Sequence, residues 1–245
     1  MTNHFLKDLL QANHTELLAK AEAYYFGHGI KQDLKKAIKL WHFLADKGHP
    51  LAQMNLAESY QTGQGVDENP SLAIKYWLLA AEHKIPEAWY NLGLSYFSGY
   101  GVEQEPVQAA KYWLLAADAG HNLAQFNIAL AYSQGMGLEK DLDMSIKYYR
   151  LAAYQGLVQA QINLANAYLT GHGVTRDMSK AAKYWRLAAA QGEALAQLNL
   201  GMAYLTGDGV KQDQNQAIKY LQLAAVQGKK LAKEKLREIG APTLD

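Results

Sequence analysis

Ala88-Trp89-Tyr90-Asn91-Leu92-Gly93-Leu94-Ser95-Tyr96-Phe97-Ser98-Gly99-Tyr100-Gly101-Val102 decides the fold, because the Gly-x-Gly that closes it returns every 36 residues. The pairs are Gly27/Gly29, Gly63/Gly65, Gly99/Gly101, Gly135/Gly137, Gly171/Gly173 and Gly207/Gly209. A fixed period of this size marks units that cannot bury an apolar face alone and so stack on their neighbours. Upstream of the glycines, Ala88, Leu92, Gly93 and Tyr96 fall on one helical face. Pro86 suits the first position of this helix A, since no amide hydrogen is wanted there. Downstream, Glu105 stands where a capping acceptor is needed, and Ala109, Tyr112, Trp113, Leu115, Ala116 and Ala117 mark a helix B that ends at Gly120.

The other units repeat this punctuation. Asp33, Asn69, Asp141, Asp177 and Asp213 occupy the cap position of helix B, where a short acceptor satisfies free amides. Gly48, Gly156, Gly192 and Gly228 supply the stop, where a residue lacking Cβ enters φ > 0 cheaply. Alanine columns such as Ala81/Ala117/Ala153/Ala189/Ala225 offer small faces to Trp113 and Tyr96. The expected fold is all-α, a right-handed α-solenoid superhelix of about six 36-residue helix-turn-helix repeats with terminal capping helices. One domain is expected over residues 1–245: an N-terminal cap at 1–15 with a short helix over Phe5–Gln11, repeats over 16–229, and a capping helix and tail over 230–245. Asn13 and Glu16 have the spacing of a capping box. Lys84 replaces the stop glycine before Ile85-Pro86, which predicts a locally altered helix end and a change of superhelical curvature there.

Composition agrees with a folded array. Apolar residues make up 49% and charged residues 19% of the chain, and the net charge of +1 gives no general pull toward nucleic acid or an anionic membrane. The charge is uneven, however. Residues 58–118 hold eight carboxylates against three lysines, while the flanking segments are net positive. Without cysteine there is neither a disulfide framework nor a thiolate metal site. Met1–Leu18 lacks the pattern of a secretory signal, and no apolar run would span a bilayer, so a cytoplasmic protein without membrane insertion is expected.

Motifs for chemistry are missing. The Gly-x-Gly turns lack the third glycine of a dinucleotide fingerprint and the Gly-Lys-Ser/Thr of a phosphate loop. The eight histidines make no i, i+4 pair, and there is no Gly-x-Ser-x-Gly. No catalytic residue, metal or cofactor is expected. Recognition is better supported. Asn55, Asn91, Asn127, Asn163 and Asn199 stand one per unit before the core residue of helix A; they either bond an extended peptide or tie neighbouring units together. Beside them, Met54, Tyr90 and Phe126, with Glu58, Leu94, Leu130 and Asn166 three positions after each Asn, form a strip that is either an exposed apolar surface or core. Lys39, Lys75, Lys111, Lys147, Lys183 and Lys219 read as a solvated face, not a nucleic-acid stripe.

Ala-x-Tyr-Asn-Leu-Gly-x-x-Tyr over Ala88–Tyr96, then Gly-x-Gly-Val, then Lys-Ala-x-x-Tyr-Trp-x-x-Ala-Ala in later units resembles the Sel-1-like repeat family over roughly residues 16–240. That resemblance implies a tetratricopeptide-related α-solenoid adaptor without enzymatic activity, of the kind bacteria use in envelope, stress or host-contact assemblies. By analogy with related superhelices, helix A would line a concave groove holding a protein or peptide. Acidic Glu58 and Glu87 would then favour a partner with a basic segment. Two alternatives stand beside this expectation. One is a dedicated inhibitor or immunity-type partner of a secreted effector; the other is an envelope-polymer hydrolase, which no residue supports.

Overall fold

The computed structural model describes residues 13–243, so the helix expected over Phe5–Gln11 lies outside the described residues. Among the described residues there are thirteen α-helices and no strand. They fall into two compact units, Met1–His121 and Asn122–Asp245. The first unit contains α1 (His14–Phe26), α2 (Leu34–Asp46), α3 (Pro50–Thr62), α4 (Pro70–Glu82), α5 (Pro86–Ser98) and α6 (Pro106–Asp118). The second contains α7 (Asn122–Gln134), α8 (Leu142–Tyr154), α9 (Val158–Thr170), α10 (Met178–Ala190), α11 (Ala194–Thr206), α12 (Gln214–Val226) and α13 (Lys230–Glu238). Odd-numbered helices are helix A of a repeat and even-numbered ones helix B, except that α13 continues the A pattern as the terminal cap. The chain is therefore an all-helical array of hairpin repeats.

Each hairpin is punctuated as its residues require. Helix A ends where the first glycine of the pair turns left-handed: Gly63 has φ 72° and donates its amide to Ser59 O, and Gly171 with φ 79° bonds to Ala167 O. The second glycine acts between repeats. A Cβ on Gly101 would lie 2.6 Å from the Pro70 carbonyl oxygen, and one on Gly209 would lie 2.2 Å from that of Met178. The turn thus seats on the first residue of the preceding helix B, and only glycine permits that approach. Helix B then starts with side-chain caps: Asp33, Asn69, Asp141, Asp177 and Asp213 accept from the amides of Lys36, Leu72, Met144, Lys180 and Gln216 at 2.9–3.0 Å.

Two local expectations need correction, and a third holds in part. Glu105 occupies the cap position of α6 but makes no side-chain capping bond. Its carboxylate sits one methylene further out than that of Asp, and Pro106 at the first helical position fixes the entry instead. Asn13 caps α1 through the amide of Thr15 at 2.7 Å, one position earlier than the capping box would require. Lys84 keeps the conformation of the glycines it replaces, with φ 59°, and its amide still reaches Ala81 O at 2.9 Å. What changes is the next bond. His49, His121, Leu157, Glu193 and Lys229 each donate to the carbonyl five residues back, and Ile85 has no such bond among the described residues.

Both units are filled the same way. In the first, Ala52, Leu56, Ala88 and Leu92 of helix A and Leu44 and Ala80 of helix B have no exposed area. Ala124, Ile128, Ala160, Leu164 and Leu200 of helix A, with Ala152 and Ala188 of helix B, play that part in the second. Bulk on one helix meets its absence on the other. A Cβ on Gly93 would lie 2.3 Å from the Trp113 ring, so that position of α5 carries none. Within each of the last five repeats a tyrosine of helix A stacks on one of helix B, as in Tyr60–Tyr76 and Tyr168–Tyr184, with ring centroids 5.8 and 5.9 Å apart.

Candidate functional site

The asparagine column is half-buried in both units. Asn91 turns its amide back to Glu87 O at 3.0 Å, within its own helix. Asn163 hydrogen-bonds the Tyr149 hydroxyl of the preceding helix B. Asn55, Asn127 and Asn199 make no side-chain hydrogen bond among the described residues, so their amides face their surroundings unpaired. The strip beside them is also half-buried. Met54 packs on the core of the first unit, Tyr90 stacks on His121 at 4.4 Å, and Phe126 packs on Tyr149 at 5.8 Å. Leu94 and Leu130 are partly covered, and Glu58 and Asn166 are exposed.

In the first unit the acidic side chains are differently engaged. Glu87 bonds His121 Nε2 at 2.8 Å, and Glu68 accepts from the Tyr100 hydroxyl at 2.6 Å. Glu58 and Glu103 are exposed, and no ion pair engages either among the described residues. Burial pushes the Tyr90 hydroxyl pKa up, with the Glu87 carboxylate adding to it, so this phenol stays protonated at neutral pH.

In the second unit a cavity of about 420 Å³ opens between α7, α8 and α9. Leu130 from α7 and Asn163 and Asn166 from α9, three residues of the expected recognition set, meet in its wall. They are joined by Ser133, Ser145 and Tyr149, which sequence reading did not single out. Ser133 donates to Leu130 O at 2.8 Å, and burial raises the Tyr149 pKa, an effect opposed by hydrogen bonds with Asn163 and Ser133. The signal for these residues was present as departures from the column. Ser145 replaces the alanine of Ala37, Ala73, Ala109, Ala181 and Ala217, and Tyr149 replaces the tryptophan of Trp41, Trp77, Trp113 and Trp185.

A second set also went unread. Gln161 is buried; its amide donates to Ala153 O of the preceding repeat at 3.3 Å, and its oxygen accepts from Gln191 at 3.0 Å. Gln191 also donates to Gly156 O at 2.9 Å, which closes a clip between repeats. Gln197 and Gln227 form the same clip with Ala189 O and Gly192 O. This is a joining device, and at the junction of the fourth and fifth repeats it acts beside the bond between Asn163 and Tyr149. Among the described residues no His, Asp and Glu side chains gather as a metal site, and no helix is long and apolar enough to cross a membrane.

The family profile described as Sel1 repeat matches residues 17–49, 50–84, 86–121, 122–157, 158–193 and 194–229. The crystal structure of a protective antigen of uropathogenic Escherichia coli strains, displaying an SLR fold, is similar with a TM-score of 0.90 and 29% identity, over 98% of this chain and 53% of that one. The chain thus spans about half the length of that antigen. A Sel1 repeat protein from Oxalobacter formigenes is similar with a TM-score of 0.81 and 32% identity, over 94% of this chain and 67% of the other. No curated protein matches the chain.

Proposed function

The chain belongs to the Sel1 repeat family, whose repeats generally mediate protein–protein interaction, and we propose that it is a non-enzymatic scaffold that binds a partner protein or peptide along its A helices. The observation that carries this reading is the convergence of Leu130, Asn163 and Asn166 on one cavity, with unpaired amides at Asn55, Asn127 and Asn199 along the same column. A half-buried apolar wall supplies affinity, and side-chain amides offer both donor and acceptor to a peptide backbone. Exposed Glu58 and Glu103 attract a partner segment bearing Lys or Arg, which raises the association rate at low salt.

Selection of random peptides on the immobilised protein tests this. Binders are expected to lose at least tenfold in affinity when Asn127→Ala and Asn199→Ala are combined. Glu58→Gln with Glu103→Gln is expected to flatten the salt dependence of binding. A selection that yields only peptides indifferent to these changes overturns the assignment.

A further inference from the structure

We propose that the cavity between α7, α8 and α9 receives one aromatic side chain of the partner, a tyrosine or tryptophan, which seats on Tyr149; this rests on the scaffold reading above and names the residue it recognises. In the first repeat Tyr25 lies on Trp41 with ring centroids 4.9 Å apart, and in the third Phe97 lies on Trp113 at 5.2 Å. Their counterparts in the second, fifth and sixth repeats are Gln61, Leu169 and Leu205. Only in the fourth does this position shrink to a hydroxymethyl, Ser133, while the indole facing it shrinks to the phenol of Tyr149. A ring and part of an indole are missing together. About 420 Å³ remains open there and reaches Leu142, Ser145, Ile146 and Tyr149 of α8, whereas the equivalent hollow beside Gln61 is lined by no residue of α4.

The lining fixes the chemistry of the guest. Leu142 and Ile146 give an apolar floor for a flat ring, while Ser133, Asn163 and Thr170 place hydroxyl and amide groups around it. No Lys, Arg, Asp or Glu lines the cavity and its one basic group is the His172 imidazole, so a cationic side chain would lose its hydration without gaining a counter-charge. An aliphatic guest would leave the polar groups unanswered. A neutral ring bearing an O–H or N–H meets both demands, and a cavity near the lower end of the range of about 300–1,000 Å³ for ligand pockets suits one side chain. The exposed Asn166 at the rim is placed to hold the backbone that carries it.

The test uses p-cresol and the peptides Gly-Gly-Tyr-Gly-Gly and Gly-Gly-Lys-Gly-Gly as probes, read by amide chemical shifts of the whole chain. The tyrosine peptide is expected to move the resonances of Ser133, Tyr149 and Asn163, to bind more tightly than p-cresol, and to outbind the lysine peptide at least tenfold. Ser133→Phe rebuilds the aromatic pair of the third repeat from within, and it is expected to abolish these shifts while circular dichroism stays unchanged. Should that variant fail to fold, Tyr149→Trp, which restores the residue of four other repeats, is expected to weaken the tyrosine peptide at least fivefold. No shift at these residues, equal binding of the lysine peptide, or shifts that survive in the folded filling variant would overturn the proposal. Binding of p-cresol as tight as that of the peptide would overturn it too, by making a free small molecule the occupant. If selected peptides depend on Asn127 and Asn199 yet ignore Ser133→Phe, the scaffold reading stands and the pocket falls; if none binds at all, the scaffold reading falls first.

Discussion

At the scale of single residues, the second glycine of a turn does different work in the first repeat and in the sixth. Gly29 and Gly209 have nearly the same φ, 73° and 71°, but a Cβ on Gly29 meets nothing within 4 Å while one on Gly209 meets backbone at 2.2 Å. Gly29→Ala is expected to cost only the left-handed conformation, about 1 kcal/mol. Gly209→Ala adds overlap with the Met178 carbonyl and is expected to cost about 3 kcal/mol or more. Urea denaturation of both variants checks this; equal midpoints would show that the turn tolerates the contact. His42 offers a second residue-scale prediction. Its two ring nitrogens lie 3.1 Å from the hydroxyls of Tyr60 and Tyr76, and burial lowers its pKa, with nearby Lys75 adding to the shift and Asp46 opposing it. Because the folded value is depressed, the unfolded chain binds the proton more readily. Stability is therefore full above the ordinary histidine value of about 6.5 and is lost as pH falls through the lower folded value. Thermal melts between pH 7.5 and 5 should show a steeper decline for the parent chain than for His42→Gln, and parallel curves would remove His42 as the cause.

At the scale of elements, the helix pairs are joined by polar clips as well as by leucine and alanine. Gln191→Ala strips a partner from the buried Gln161 oxygen and from Gly156 O, and the expected loss is about 1–3 kcal/mol. Gln53 makes a useful contrast. Its oxygen is already buried without a partner, because His83 stands where Gln191 would, and so Gln53→Leu is expected to be neutral within about 0.5 kcal/mol or slightly stabilising. A calorimetric comparison in which the two changes cost the same would discount the clips. These glutamines also mark what sequence could yield. Helices, turns and five of the six B-helix caps were legible because Gly-x-Gly and the short acceptors act within a few residues of themselves. The clip was not, since its glutamines lie 30 residues apart and hydrogen-bond only once two hairpins are stacked. Lys84 was legible in part: the helix end is altered in the bond that Ile85 lacks among the described residues, while the lysine itself keeps the φ > 0 of the glycines it replaces. Within the candidate site, Asn163 and Leu130 were reachable from their columns. Ser133, Ser145 and Tyr149 were not, because a search for what recurs passes over what departs.

At the scale of the molecule, repetition makes a sharper prediction than any substitution. Removal of residues 158–193 takes out one whole period from the second unit and brings the fourth repeat against the sixth. Every partner needed at the new junction is already there. Gly209 replaces Gly173 against Leu142 and Ile146, Gln197 replaces Gln161 beneath Ala153 O, Gln227 replaces Gln191 beside Gly156 O, and Tyr204 replaces Tyr168 as the acceptor for Arg150. If stability is a sum over repeats and their nearest-neighbour contacts, the shortened chain should fold with unchanged helicity per residue and a melting temperature only a few degrees lower. Removal of 158–191 leaves out two residues of the period. Gly192 and Glu193 then lengthen the three-residue turn after α8 by two residues, so the following A helix no longer enters at the position its leucines need. That chain should lose its cooperative transition in the second unit. Equal melting of the two deletions, followed by circular dichroism, would mean that contacts beyond adjacent repeats hold the array together.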